Sequence, residues 1–134
     1  MQYFLDTNIL IDLVTMREPY GKVAAQLFET AREKKWNLFS SAISITTTHY
    51  ILSKSMDNIP ATEVIGKLLD LLTIVPADSS MLRRAVSQPI SDYEDAVQFE
   101  CAASIKGVNG IITRNKKDFK HSTIPVFAPE EVLF

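Results

Sequence analysis

The chain has 134 residues, 46% of them hydrophobic and 22% charged, with a formal net charge of −2 and a pI of about 5.6. This length suits one domain with one core across residues 1–134. No stretch approaches the ~18 apolar residues that a membrane span needs, and the acidic balance is not that of a strongly basic nucleic-acid binder, although local basic patches can still guide phosphates.

Tyr3, Phe4 and Leu5 form a short apolar run that reads as a buried strand over 2–5. No basic segment precedes this run and Asp6 interrupts it, so a signal peptide is not expected. Ile9, Leu10 and Leu13 continue as a short helix. Val23, Leu27 and Ala31 recur at a period near four, which predicts an amphipathic helix over 20–34. Trp36 to Phe39 reads as a strand, and Ile45 to Leu52 as a helix with Ser44 as its cap. Ser55 to Pro60 is a surface turn, after which Pro60 opens a helix with Val64, Ile65, Leu68, Leu69 and Leu72 on one face. Thr73 to Val75 is a strand stopped by Pro76. Asp78 or Ser79 caps a helix through Val86. Ser91 or Asp92 caps another through Ile105, ended by Gly107. Cys101 lies in that apolar helix. A lone cysteine rules out an intramolecular disulfide, fits a reducing cytoplasm and reads as a buried structural thiol. Gly110 precedes the strand Ile111–Thr113, Pro125–Phe127 is the last strand, and Pro129 starts a closing helical turn.

Short apolar strands separated by helices predict an α/β fold with a parallel sheet covered on both faces. No repeat, linker or low-complexity tract interrupts it. In such a sheet the C-terminal strand ends share one edge, where open α/β folds bind ligands. Three distant segments carry polar residues to that edge: Asp6-Thr7-Asn8, Asp92-Tyr93-Glu94-Asp95, and Thr113-Arg114-Asn115 followed by Asp118. Carboxylates and an amide converging there suggest a hard divalent cation, Mg²⁺ or Mn²⁺. Each residue has an alternative role. Asp6 can be a helix cap. Asp92 can cap the helix on which Asp95, at i+3, points into the cleft. Glu94 reads as solvated, Asp12 as structural, Asn115 as a turn residue, and His49 and His121 as structural or surface residues. Two basic patches stand out, Arg32, Lys34 and Lys35 beside Trp36, and Arg114, Lys116, Lys117 and Lys120 beside the acidic edge. There is no Gly-rich phosphate loop, paired-cysteine zinc pattern or nucleophile elbow.

Asp6-Thr7-Asn8 after an apolar strand, Asp95-Ala96 opening an apolar helix and Thr113-Arg114-Asn115 after Gly110-Ile111-Ile112 together resemble a PIN domain over the whole chain. The closing runs Lys116-Lys117-Asp118-Phe119, Ile124-Pro125-Val126 and Pro129-Glu130-Glu131 resemble the tail of short prokaryotic PIN proteins. The resemblance implies a three-layer α/β/α fold with a central parallel sheet of about five strands. It also implies a Mg²⁺- or Mn²⁺-dependent ribonuclease of the kind found among VapC-type toxins, whose cleft an antitoxin tail occupies. Asp6, Asp95, Asp92 and Asn115 are the expected catalytic residues. Asp6, Asp95, Asp92 and Asp118 are the expected metal ligands, and Arg114, Lys116, Lys117 and Asn8 the expected nucleic-acid contacts. The expected partners are RNA, an antitoxin protein and a second copy of the chain, in the cytoplasm and with no membrane. Two positions depart from the family pattern. Thr47 stands where the family usually has a glutamate, and Asn115 where it often has an aspartate. Neutral ligands attract a cation less than carboxylates do. The alternative expectation is therefore a catalytically weak or inactive PIN module that binds RNA or a protein partner. A phosphoryl-accepting α/β protein, with Asp6 as nucleophile and Lys116 as its lysine, is a third reading.

Overall fold

Side chains alternate across the first strand, so that it serves two cores at once. In the computed structural model, which describes residues 1–55 and 60–133, β1 spans Gln2–Leu5. Tyr3 and Leu5 face one apolar cluster with Leu10, Leu27 and Ile112. Phe4 faces the other, with Val97, Phe99 and Ile111. Phe4 is fully buried, which stabilises the fold by about 2–3 kcal/mol.

The other strands are β2 (Asn37–Ser41), β3 (Thr73–Val75), β4 (Gly110–Ile112) and β5 (Val126–Phe127). They form a five-stranded sheet in the order β3-β2-β1-β4-β5. Every pairing is parallel, with Phe4 opposite Phe39 on one side and Ile111 on the other. Helices α1 (Thr7–Thr15), α2 (Tyr20–Lys34), α3 (Ala42–Ser55), α4 (Ala61–Leu69), α5 (Ser79–Val86), α6 (Tyr93–Ala103) and α7 (Pro129–Val132) flank it. The expected three-layer architecture is therefore present. No described helix is long and apolar enough to cross a membrane.

Gly110 makes the β4–β5 pairing possible. A Cβ there would lie 2.5 Å from the Phe127 ring and 3.0 Å from the Pro125 carbonyl oxygen. At Gly107 the requirement is conformational: its φ of 78° turns the chain after α6 in a region where side chains are strained.

Several element ends differ from expectation, each for a local reason. β2 runs on to Ser41, and α3 begins at Ala42 with no intervening loop. Its cap is Ser41, not Ser44: Ser41 Oγ accepts from the Ser44 amide at 3.0 Å, the N-cap to N3 geometry. Ser44 is instead fully buried. The threonines that follow sit within the helix with Thr46 and Thr48 donating their hydroxyls to the carbonyls of Ile43 and Ser44 at 3.0 and 2.7 Å, which satisfies the hydroxyls inside the helix. α4 stops at Leu69, before Leu72, and α6 at Ala103, before Ile105. Asp78 caps α5 as expected, accepting from the Met81 amide at 2.9 Å. A 3-10 turn at Lys116–Phe119 was not expected. It buries Phe119 under the sheet edge. Residues 56–59 of the expected turn at Ser55–Pro60 lie outside the described residues. Cys101 is buried, and burial pushes its thiol up to about 11, in keeping with a structural role.

Candidate active site at the sheet edge

β1 delivers Asp6 to the C-terminal edge of the sheet, beside the end of β4. Asp6 is 7% exposed, and both of its oxygens are engaged. Oδ1 accepts from the Thr7 amide at 2.9 Å and from Gln98 Nε2 at 3.3 Å. Oδ2 accepts from Thr113 Oγ1 at 2.8 Å and Asn8 Nδ2 at 3.4 Å. The helix-cap reading of Asp6 therefore holds together with its place at the edge: it caps α1. Burial raises its carboxyl above the usual range, while the bonds from Thr113, Thr7 and Gln98 pull it back.

α6 brings the next acids. Asp92 caps it through a bond from the Asp95 amide at 3.1 Å. Asp95, one turn in, is half-buried. Its carboxyl is pushed up to about 7, first by burial and then by the charges of Asp6, Asp92, Asp118 and Glu94. Glu94 is exposed on the surface of the helix, as expected of a solvated residue, and its carboxyl is raised by burial and by Asp92 and Asp6, so it also contributes to the same negative field. Asp118 reaches this field from the 3-10 turn, raising both Asp6 and Asp95. None of these five acids takes part in an ion pair among the described residues. The N-terminal dipole of α6 favours the charges by under about 1 kcal/mol, so the repulsion is left largely uncompensated.

Uncompensated carboxylates beside one another suit a hard divalent cation. The fit is a loose one. Among the described residues, no three His, Cys, Asp or Glu side chains are gathered closely enough to hold an ion directly. A cation here would keep several of its waters.

The remaining candidates fall into two groups. Asn8 and Arg114 are tied into the scaffold. Asn8 Nδ2 also reaches Thr113 Oγ1 at 3.3 Å, and Asn8 Oδ1 accepts from the Arg114 amide at 3.3 Å. The Arg114 guanidinium donates to both Asp12 oxygens at 2.5 and 3.2 Å and lies 4.0 Å over the Tyr20 ring. Asp12 is 1% exposed and also pairs with Arg17, so its expected structural role is met. Lys116 pairs with Glu131 at 2.7 Å. Asn115 is exposed at the start of the 3-10 turn, its backbone N–H donating to Thr113 Oγ1 at 3.1 Å. Lys117, by contrast, lines a cavity of about 390 Å³ together with Asp118, Lys120, His121 and the loop Pro89–Ser91. The Arg32 patch lies elsewhere: Arg32 pairs with Glu29, and Lys34 stacks on Trp36.

Reading the sequence missed the polar cluster behind Asp6. Gln98, 1% exposed, donates through Nε2 to Asp6, to Thr7 Oγ1 at 3.2 Å and to Ser44 Oγ at 2.6 Å. Its Oε1 accepts from Ser41 Oγ, and Thr7 and Ser44 share a hydroxyl contact at 2.7 Å. The signal was available: Gln98 lies three residues after Asp95, on the same helix face. On α3 the side chain that joins this cluster is Ser44, while Thr47, one turn later, is half-buried.

A family model described as PIN domain matches residues 2–117. The chain is 29% identical over 133 residues to the ribonuclease VapC1 of Aquifex aeolicus (strain VF5), covering 96% of this chain and 90% of that protein. Its fold is similar to that of a toxin–antitoxin complex from Klebsiella pneumoniae, with a TM-score of 0.69, 26% identity and coverage of 95% and 97% of the two chains. It is also similar to the DNA-bound VapBC of Salmonella typhimurium, with a TM-score of 0.70, 19% identity and coverage of 96% and 98%.

Proposed function

The chain belongs to the PIN-domain family, and from that premise we propose that residues 1–134 act as one domain, a metal-dependent ribonuclease that hydrolyses phosphodiesters of RNA as the toxin of a toxin–antitoxin pair. The observation that carries this reading is the uncompensated acidic edge, in which four neighbouring acids help hold Asp95 near 7. The relative named as a ribonuclease and the toxin–antitoxin complexes of similar fold support it. Ribonucleases of this type are generally dependent on a divalent metal.

Asp6, Asp95, Asp92 and Asp118 would hold Mg²⁺ or Mn²⁺, partly through waters. When bound, such a cation polarises the phosphodiester and activates an attacking water. The chain's own contributions are distinct. Asp6 is fixed by four hydrogen bonds, so its carboxylate needs little reordering. Asp95 retains a proton over much of the acidic range and gives it up near neutral pH. Cation binding is therefore coupled to proton release at the Asp95 carboxyl. Lys117 and Lys120, on the rim of the cavity beside Asp118, attract the RNA backbone. Arg114 and Asn8 act from within, holding the β4 end against Asp6, and Asn115 would meet the substrate from its exposed place at the start of the 3-10 turn. Two copies associate in the cytoplasm, and an antitoxin covers the cleft.

A second reading, a PIN module that binds RNA without cutting it, is favoured by one observation: α3 carries no carboxylate, and the side chain it sends to the cluster behind Asp6 is Ser44. One assay decides between them. Wild type, Asp6→Ala and Asp95→Ala are incubated with a mixed RNA pool and Mn²⁺, with EDTA as control. Metal-dependent cleavage lost in both variants supports the nuclease. RNA binding with no cleavage by wild type supports the module.

A further inference from the structure

We propose that Gln98 is the positioning residue that sets Asp6 against Asp95 at the metal site, an inference that rests on the nuclease reading above. Asp6 and Asp95 repel each other, and they come from different elements, β1 and α6. Gln98 is the side chain of α6 that bonds to Asp6 directly, through Nε2 to Oδ1 at 3.3 Å. It lies one turn after Asp95 on the same helix, so the bond sets how far apart the two carboxylates stand.

The amide can face only one way. Its Oε1 accepts from Ser41 Oγ, whose own oxygen accepts from the Ser44 amide. Its Nε2 faces Asp6, Thr7 and Ser44. Turning the amide over would set Oε1 against the Asp6 carboxylate, acceptor against acceptor. Ser41, at the junction of β2 and α3, therefore orients Gln98, and Gln98 orients Asp6. Through this chain α3 acts on the metal site with hydroxyls and an amide relay, without a carboxylate of its own. Removing a hydrogen-bond partner of a metal ligand typically weakens affinity 10–100-fold.

The test compares wild type, Gln98→Met, Ser41→Ala and the double variant by calorimetric titration with Mn²⁺ and by thermal melts. Gln98→Met keeps length and volume while removing all four hydrogen bonds of the amide. It is expected to weaken Mn²⁺ binding about tenfold or more. Ser41→Ala, which never touches Asp6, is expected to weaken it by a smaller factor, and the double variant no further than Gln98→Met alone, because both act through one path. A purely structural amide gives lower melting temperatures with unchanged Mn²⁺ affinity, and that result overturns the proposal. If Gln98→Met does not fold, Ser41→Ala decides: unchanged affinity overturns the proposal, and weakened affinity supports it. No Mn²⁺ binding by wild type overturns the metal-site reading itself, whereas normal wild-type binding with unaffected variants removes only the role of Gln98.

Discussion

Replacing Asp95 by asparagine should make the metal-free protein more stable at alkaline pH while removing its response to metal. The Asp95 carboxyl stands at about 7 in the folded chain against 3.8 for an ordinary aspartate, mainly through burial and then through Asp6. Between these values the folded state binds more protons than the unfolded one. Stability therefore falls as pH rises from about 4 to about 7 and levels off above that. Glu94 and Asp6 are raised too and act with the same sign. The lowered groups, Glu29 and Glu131, matter only below about pH 4.5. Undiscounted, a shift of this size corresponds to about 4 kcal/mol. Asp95 is partly open to solvent, and screening leaves about 1–2 kcal/mol, or roughly 3–7 °C in melting temperature for a chain of this length. Thermal melts at about pH 5 and pH 8, with and without Mn²⁺, are the assay. Metal-free wild type should melt lower at the higher pH. Asp95→Asn should lose less stability over the same interval, the remainder coming from Asp6 and Glu94, and should exceed wild type at the higher pH. Mn²⁺ at about 100 times its dissociation constant should restore wild type by about 2.7 kcal/mol and the variant by much less. A wild type equally stable at both values, or an Asp95→Asn protein that melts lower than wild type at the higher one, would refute the reasoning.

Four further outcomes follow from the same geometry. Thr47→Glu with Asn115→Asp should raise Mn²⁺ affinity and RNA cleavage and lower metal-free stability, since added carboxylates repel one another without the ion; unchanged melts with and without Mn²⁺ would show that these positions do not face it. Asp12→Ala leaves Arg114 and Arg17 without their shared partner and should cost about 2–4 kcal/mol, read as a melting temperature lower by roughly 10 °C. Lys117→Ala and Lys120→Ala should each weaken single-stranded RNA binding in an Asp6→Asn background and each reduce the slope of log affinity against log salt by about 0.7, measured by fluorescence anisotropy. Gly110→Ala should destabilise by about 1–3 kcal/mol, because its new methyl meets the Phe127 ring; denaturant unfolding reads the loss.

The layers of the fold were legible because the strands are apolar on both faces. Tyr3, Phe4 and Leu5 can be hydrophobic in succession only where both sides of the sheet are covered, and the helices between them repeat at helical period. Element ends were less legible. α3 follows β2 directly, and its cap, Ser41, is also the last residue of a strand, so Ser44 looked like the better start. The 3-10 turn at Lys116–Phe119 has no periodicity to announce it. Its single apolar residue, Phe119, is held by tertiary packing.

The acids at the edge were legible for an electrostatic reason, and the residues that hold them were not. A carboxylate at a strand end or in the first turn of a helix is a local pattern that one segment reveals. Arg114 beside Asn115 and two lysines also read locally, as a basic patch, yet its guanidinium is committed to Asp12, which lies 102 residues earlier in the chain. Gln98 is the sharper case. Between Val97 and Phe99 it reads as one polar residue on an apolar helix, and its four partners come from the β1–α1 junction, the end of β2 and the start of α3. A buried amide persists only where its donors and its acceptor are all met. Once Gln98 was known to face the core, partners at the strand ends were required, and Asp6, Thr7, Ser41 and Ser44 are the polar residues that those ends supply. The acidic edge can carry its unbalanced charge because this neutral cluster stands behind it and fixes Asp6 in place, leaving the charge to be met from the open side of the cleft.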